Sequence, residues 1–533
     1  MKLTIESMTY GTDGLAHANN GKAVFVQGAV AGDTVEAEVV QDGKSFMRAR
    51  TTEILEPSPD RIQPPCPFVG ICGGCSWGNL SRTAQLAAKE QNLRSTLERI
   101  GKFAPEQVDE LVQPICHTKD DWGYRNKIEL EPTVVNGRVR LGMHGVDPSK
   151  IVTVDTCPLF DKRFPKALKS VVGALNYLSG SHDLGLERVG IRASRRTKAL
   201  EVALWTPTGS FPRSQVSRVL ADAAHPTSIV RVMSKGEKKA RRVSKVEMLA
   251  GEGSWTENIA DGQMRLSAPS FFQVNTKGAE ILIDLVMEAL NPQEDELAVD
   301  LYCGAGTFTL PLARRCDFVA AVEAYGPAVR DLRRNLEINK LDNVDVIGGD
   351  AVREFPDQDA DVLVVDPPRA GLAPEAIDLI ASTSARDVAY VSCDPATLAR
   401  DLKRFVEEGT FSPVKITPVD LFPQTFHCET VAVLSRKSAS KSFIPVSISP
   451  KDMGLSKEKD QPTYANIRDY VQKTHGMKVS SLYVAQVKAE CGLETQADRS
   501  GDKKQPKCPP EKREAILDAF RHFGLIGKDE TEK

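Results

Sequence analysis

The sequence predicts an α/β protein: a doubly wound parallel sheet in the C-terminal half, a small β-barrel in front of it, a mixed α+β region between, and a small helical extension behind. Three observations carry that expectation. First, "LAVDLYC", "FVAAVEA", "NVDVIGGD", "DVLVVDPP" and "DVAYVSC" are short apolar runs, each followed by helix-like sequence, which is the rhythm of strands buried on both faces. Second, the first 56 residues alternate apolar and polar positions and are punctuated by glycine. Third, helical patterns recur near the end, over Tyr464–Thr474, Ser480–Glu490 and Pro510–Phe523. At 533 residues the chain is too long for one core. The divisions fall at 1–56, 57–265 and 266–436, with a linker over 437–461 and the helical extension over 462–533.

Each element has a local reason. In the opening segment Val35, Ala37 and Val39 should face one side of a strand and Glu36 and Glu38 the other, with turns at Gly21, Gly28, Gly32 and Gly43. A five-strand barrel of the oligonucleotide-binding type suits that size. "EPSPDRIQPPCP" is a proline-rich exit from it. From Leu80 to Ile100, Leu86, Leu93, Leu97 and Ile100 recur at helical spacing, and Gly101 stops the pattern. The middle region carries strand-like "NKIELEP", "GRVRLGMHG" and "KIVTVD". It also holds two basic clusters, Arg192–Lys198 and Lys235–Lys245, each either solvated charge on a hairpin or a local nucleic-acid contact.

Bulk properties narrow the function. A net charge of −3, with 41% hydrophobic and 26% charged residues, describes an ordinary soluble protein without a global basic field. Any nucleic-acid partner must therefore be met by local surfaces. No apolar run follows the opening lysine, and no stretch approaches the ~18 apolar residues of a membrane span. Eleven cysteines, an odd number, read as reduced thiols or metal ligands. The expectation is a cytoplasmic protein, monomeric and free of membrane.

The strand ends carry the chemistry. "VDLYCGAGTFTLPLA" is a strand, a glycine turn and a helix start, with threonine at 309 where the third glycine of a pyrophosphate-binding turn would fall. The next strand ends in Glu323, placed for the hydroxyls of a ribose, and the third is followed by Asp350, placed for an adenine edge. The fourth ends at Asp366 in "DPPRAG". Adenosine without a diphosphate is the better ligand for this set, and S-adenosylmethionine is the common one of that kind.

"YVSCDPATLARDL" ends a strand on Cys393 one strand away from Asp366. Ligands of open α/β sheets bind at such ends, which favours a working thiol over a packing one. A thiolate there can add to carbon 6 of a uracil ring and turn carbon 5 into a nucleophile for a methyl group. A base must then remove the carbon-5 proton, and Glu429 in "FPQTFHCETVAVL" stands just before another apolar strand.

"DLYCGAGTFTLPLA", "DPPRAGL", "YVSCDPATLARDL" and "FPQTFHCETVAVL", in this order, resemble the RNA uracil-5-methyltransferase family, and "SFFQVN" (Ser270–Asn275) is similar to a further signature of it. The resemblance covers about residues 1 to 436. It implies a Rossmann-like methyltransferase domain behind an OB-like TRAM domain. It further implies Cys393 as nucleophile, Glu429 as proton acceptor, and Gln273, Tyr302, Thr307, Glu323, Asp350 and Asp366 as contacts to S-adenosylmethionine. The family often has valine at Cys428 and histidine at Phe426.

"CPFVGICGGCSW" spaces Cys66, Cys72 and Cys75 as C-x5-C-x2-C, with Cys157 a distant fourth. That pattern suits a cubane cluster held by four thiolates. Structural zinc also takes four cysteines, usually as two C-x2-C pairs, and one such pair is present. The family's ribosomal-RNA branch looks the same here and implies a [4Fe-4S] cluster with a structural or RNA-positioning role. Cys116, Cys303, Cys316, Cys491 and Cys508 are expected to be packing residues.

RNA is the partner the resemblance implies, 23S ribosomal RNA first and transfer RNA as the alternative. "DWGYRNKIEL" mixes Trp122, Tyr124, Arg125 and Lys127, a blend that stacks bases and holds phosphates or else an aromatic core anchor at a strand start. Either Phe271 or Phe272 can support an unstacked base, the other being core. Two further readings stand beside the leading one. "DPPR" is close to motifs of amino-group methyltransferases, and a chain with an inactive catalytic half would be an RNA-binding or RNA-folding protein.

Overall fold

The computed structural model describes residues 1–236, 242–356, 360–437, 462–493 and 505–527. The expected linker, beyond residue 437, and residues 237–241 of the second basic cluster lie outside the described residues.

Six strands between Lys2 and Glu56 form one sheet. Lys2–Thr4 pairs with Thr34–Asp42 at one edge, and Ser7–Met8 pairs with Gly14–His17 at the other. Between them the Ile5 N–H donates to the Asp33 carbonyl and the Glu6 N–H to the Leu15 carbonyl, both at 2.8 Å. One bent opening strand therefore joins both edges and closes the expected barrel. Leu3, Ile5, Val24, Val26, Val35 and Ala37 fill it. Val39, expected inside, is 40% exposed, where a bulge between Val39 and Gln41 interrupts the alternation.

The helix expected over 80–100 runs over Arg82–Thr96 and continues as a π turn, Leu97–Gly101, with Ser81 capping its start. Its span was legible and its face was not. Leu93 and Leu97 are buried, but Ile100 is exposed, and Gln85 and Lys89 take the inward positions. These polar side chains are buried because they are partnered. The Lys89 ammonium donates to the Asp420 carboxylate and to the Phe422 carbonyl, and the Gln85 amide to the Trp77 and Leu80 carbonyls.

The middle of the chain forms a seven-stranded sheet that includes Lys127–Val135, Arg138–His144, Arg188–Ala193 and Leu200–Pro207. Helices Ala167–Ser179 and Arg213–Ala224 share its core.

The largest sheet positions the site. Its strands are β1 (Leu297–Leu301), β2 (Phe318–Glu323), β3 (Val344–Gly348), β4 (Val362–Val365), β5 (Asp387–Ser392), β6 (Phe411–Asp420) and β7 (Glu429–Arg436). They lie in the order β3-β2-β1-β4-β5-β7-β6, with the short strand Cys116–His117 added beyond β6. The first five are parallel, and β7 is antiparallel to both β5 and β6. The strand order reverses between β1 and β4, which opens a crevice at their carboxyl ends.

Helices Tyr464–His475, Ser481–Glu490 and Pro510–His522 bury Ile467, Val471, Val484, Ile516 and Phe520 in the same core as Leu297 and Phe318. Tyr483 meets Phe318 edge-on at 5.3 Å, Lys478 pairs with Asp361 at 2.8 Å, and Lys512 pairs with Asp317. These partners sit at the amino ends of β1, β2 and β4, so the extension covers the edge opposite the crevice. Among the described residues no helix is long and apolar enough to cross a membrane.

Candidate active site

Successive strands deliver the expected residues to one edge. Tyr302 follows β1, Glu323 ends β2, Asp350 lies two residues past β3, Asp366 follows β4 and Cys393 follows β5. Because β7 runs the other way, its first residue, Glu429, starts at the same edge. The β5–β7 register ends with Ser392 opposite Thr430, so Cys393 and Glu429 are the next pair outward.

At the cofactor end Tyr302 holds a left-handed φ of 62°, followed by Gly304 at 56° and Gly306 at 103°. A Cβ on Gly306 would meet Leu332 at 2.7 Å, whereas one on Gly304 would meet nothing within 4 Å. The backbone is thus packed below and open above. The Glu323 carboxylate accepts the Gly304 N–H at 2.9 Å and the Tyr325 N–H at 2.6 Å, which fixes it against the turn. Asp350 accepts the Val352 N–H at 3.0 Å. Thr307 is half-buried on the same turn and Gln273 is buried.

The segment that carries Gln273 is pinned from three sides. The Asn126 amide donates to the Gln273 carbonyl at 2.9 Å, the Arg192 guanidinium to the Ser267 and Ser270 carbonyls, and the Ser267 and Ser270 hydroxyls to Asp331. Phe272 is core, edge-on to Trp255 at 5.5 Å, while Phe271 is 68% exposed.

Burial and the neighbouring Glu323 charge push Asp366 up to about 7. Asp300, inside β1, was not singled out from the sequence, although an acid within an apolar strand was the available signal. One of its oxygens accepts the Thr309 hydroxyl at 2.6 Å and the other is buried without a partner. Burial, then the charges of Asp366 and Glu323, raise it to about 7 as well. Acids clustered and raised at one edge suit a cationic ligand.

Cys393 is half-buried at the start of helix Pro395–Glu408, which Asp394 caps through the Ala396 and Thr397 N–H groups at 2.9 and 3.0 Å. Burial and the Glu429 charge push its thiol up to about 11, against the opposing charge of Arg369. Glu429 is 3% exposed; burial and Asp366 push it up to about 8, again opposed by Arg369. Arg369, exposed in "DPPRAG", is therefore the cation shared by both groups. His427, between the two departures Phe426 and Cys428, is driven down to about 4 by burial and then by Arg369 and Lys89, so it is a neutral imidazole. It lies tilted on Phe426 at 4.1 Å.

The loop before Glu429 is tied from outside the sheet. The Lys89 ammonium donates to the Phe422 carbonyl, the Tyr124 hydroxyl to that of Pro423 and the Trp77 N–H to that of Gln424, each at 3.0 Å. Tyr124 is accordingly core. Arg192 is buried, while Arg195 and Arg196 pair with Asp161 at 2.8 Å and Glu280 at 2.5 Å. The first basic cluster occupies the turn of the hairpin formed by Arg188–Ala193 and Leu200–Pro207, where Arg196 and Lys198 are exposed. Its guanidiniums fasten neighbouring segments together.

Cys66, Cys72, Cys75 and Cys157 line one small cavity together with Arg125 and Met143. Burial and the other three thiols push Cys75 up to about 12. Among the described residues no three His, Cys, Asp or Glu side chains form a group able to hold a single metal ion.

A family model described as tRNA (Uracil-5-)-methyltransferase matches residues 256–437, and a TRAM domain model matches residues 1–52. An uncharacterised RNA methyltransferase of Gloeobacter violaceus is 36% identical over 446 residues, which cover 81% of this chain and 95% of that protein. The chain belongs to the RNA uracil-5-methyltransferase family. A second RNA methyltransferase of this family's kind, from Halalkalibacterium halodurans, is 33% identical over 451 residues, covering 82% of this chain and 97% of that one. The structure is similar to that of the Pyrococcus abyssi tRNA (uracil-54, C5)-methyltransferase in complex with S-adenosyl-L-homocysteine. The TM-score is 0.63 at 25% identity, covering 81% of this chain and all of that one. Family membership makes the protein an S-adenosylmethionine-dependent RNA methyltransferase with an N-terminal TRAM domain.

Proposed function

We propose that this enzyme methylates carbon 5 of a uridine in 23S ribosomal RNA, with Cys393 as nucleophile and Glu429 as the base. The observation that carries this is the nearness of the Cys393 thiol and Glu429 carboxylate just beyond the last β5–β7 pair, Ser392 and Thr430, beside the acid-lined crevice. S-adenosylmethionine supplies the methyl group as a sulfonium leaving-group reagent. Gln273, Tyr302, Thr307, Glu323, Asp350 and Asp366 are the residues assigned to hold it, and the raised acids Asp300 and Asp366 fit its positive charge.

The Cys393 thiolate adds to carbon 6 of the unstacked uracil, and the electrons of the carbon 5–carbon 6 bond move toward carbon 5 and oxygen 4. Carbon 5 takes the methyl group. Glu429 then removes the proton that carbon 5 still carries, the double bond re-forms and the thiolate leaves. Arg369 steadies the anionic groups, since its charge opposes the upward shift of both Cys393 and Glu429. Phe271 is the aromatic surface assigned to the unstacked base.

The four cysteines are assigned a [4Fe-4S] cluster, which Cys66, Cys72, Cys75 and Cys157 would hold through their thiolates at the cavity they share. Its role is structural, because the methyl transfer moves no electrons to or from it. Brown protein under anaerobic purification supports this assignment, and colourless protein with stoichiometric zinc sinks it.

Transfer RNA is the second reading, favoured by the substrate of the Pyrococcus abyssi relative. Labelled S-adenosylmethionine offered with unmodified ribosomal and transfer RNA, followed by nucleoside digestion, separates them. Label in 5-methyluridine from the ribosomal fraction is expected. Label only from transfer RNA keeps the chemistry and changes the substrate, and none from either refutes the proposal.

A further inference from the structure

Tyr10, in the N-terminal barrel, reaches the reacting pair from 383 residues away in sequence. Its hydroxyl donates to the main-chain carbonyl of Cys393 at 3.2 Å. Its ring meets Phe426, three residues before Glu429, edge-on at 5.4 Å. One side chain of the barrel thus touches both the strand end that bears the thiol and the loop that leads to the carboxylate.

The loop that presents Tyr10 is held on both sides. Within it the Thr9 hydroxyl donates to the Asp13 carbonyl at 2.7 Å and the Gly11 N–H to the Thr9 carbonyl at 2.7 Å. From the next domain the Trp77 indole N–H donates to the Gly11 carbonyl at 3.0 Å. Met8 and Val30 of the barrel share an apolar cluster with Trp77, Leu80 and Phe426. Tyr10 therefore approaches Cys393 on a fixed base. Burial and the nearby Asp394 charge raise its phenol far above the ordinary range, so it stays protonated and acts only as a donor.

We infer that Tyr10 is a positioning residue for the nucleophile, through which the docked barrel sets the placement of Cys393. The carbonyl it holds belongs to the peptide between Cys393 and Asp394, and Asp394 caps the following helix. The hydrogen bond therefore fixes the turn between strand and helix on the side that the cap does not reach. On this view the barrel does more than hold RNA: seating it is part of assembling the reacting pair. The inference rests on Cys393 being the nucleophile.

RNA carrying 5-fluorouridine tests it, because fluorine cannot leave as a proton and the covalent adduct accumulates. Tyr10→Phe keeps the ring against Phe426 and removes only the hydroxyl. At saturating RNA, adduct formation should slow by about fivefold, the worth of one neutral hydrogen bond. RNA affinity, cofactor affinity and melting temperature should stay at wild-type values. Adduct formation at the wild-type rate, or slowing that only follows weaker RNA binding or a lowered melting temperature, overturns the inference. Cys393→Ala in the same assay separates the two levels. If it still methylates uridine, the nucleophile assignment itself is wrong. If it is inert while Tyr10→Phe is normal, only the role of Tyr10 is lost.

Discussion

The two edges of the largest sheet treat carboxylates in opposite ways. At the amino edge Asp317, Asp361 and Asp387 each meet a cation: Lys512, Lys478 and Arg386. At the carboxyl edge Asp300 and Glu429 are buried and Asp366 is half-buried, and all three are raised to about 7 or 8. The same residue types stand a strand's length apart, satisfied at one end and held out of their preferred state at the other. Acids with raised values clustered in a crevice mark a candidate functional site. The paired edge shows that the chain neutralises such groups where nothing has to bind.

The largest expected effect concerns the reacting pair. Cys393→Ala should lower methylation by about 10⁴-fold or more and form no covalent RNA adduct. Glu429→Gln should stall later, so that a covalent protein–RNA species accumulates with ordinary uridine, visible as a slow band on a denaturing gel. Adduct formation by Cys393→Ala would remove the catalytic meaning of this edge altogether.

Next comes stability against pH. Glu429 has a folded value of about 8 against an ordinary 4.5, so the folded state binds its proton more tightly than the unfolded state. Stability is therefore lost as pH rises from about 4.5 to about 8, and the cost is complete above that range. Glu429→Gln removes the cost, on the order of a few kcal/mol. Its melting temperature should rise above wild type at pH 8.5 and match it at pH 4.5. An equal difference at both pH values would show that the carboxyl is not strained.

A smaller effect should accompany ligand binding. A cationic cofactor lowers the raised acids, so S-adenosylmethionine binding near pH 7 should release protons, and more of them than S-adenosyl-L-homocysteine, which lacks the sulfonium charge. Calorimetry in buffers of different ionisation enthalpy reads this directly, and equal release by both ligands would separate the acids from the sulfonium. The smallest effect belongs to the paired edge. Lys478→Met breaks a part-exposed ion pair and should cost about 1 kcal/mol or less while leaving methylation unchanged.

The strand ends were legible because buried parallel strands are apolar throughout, and the first polar residue past each one stands out. Asp366 and Cys393 were found that way, on neighbouring strands. The four cysteines were legible from spacing, since three lie within ten residues. What escaped was whatever depends on a distant partner. Lys89 and Gln85 look like solvent residues until Asp420 and Gln424 are placed beside them. Arg192 looks like surface charge until the Ser267 and Ser270 carbonyls surround its guanidinium. Tyr10 had no local signal, because its partner is 383 positions downstream. That Glu429 lies opposite Cys393 follows from the reversed direction of β7, which no local pattern announces.

The thiol and carboxylate of the proposed reaction stand just past and at the start of neighbouring strands joined by a ladder of main-chain hydrogen bonds, links that only a proline substitution along those strands would remove. On the proposed function, target preference rests by contrast on exposed positions such as Phe271 and on barrel surface away from Tyr10. A lineage built on this arrangement is free to drift toward new RNA targets by changing its rim while the spacing of its chemistry is inherited unaltered.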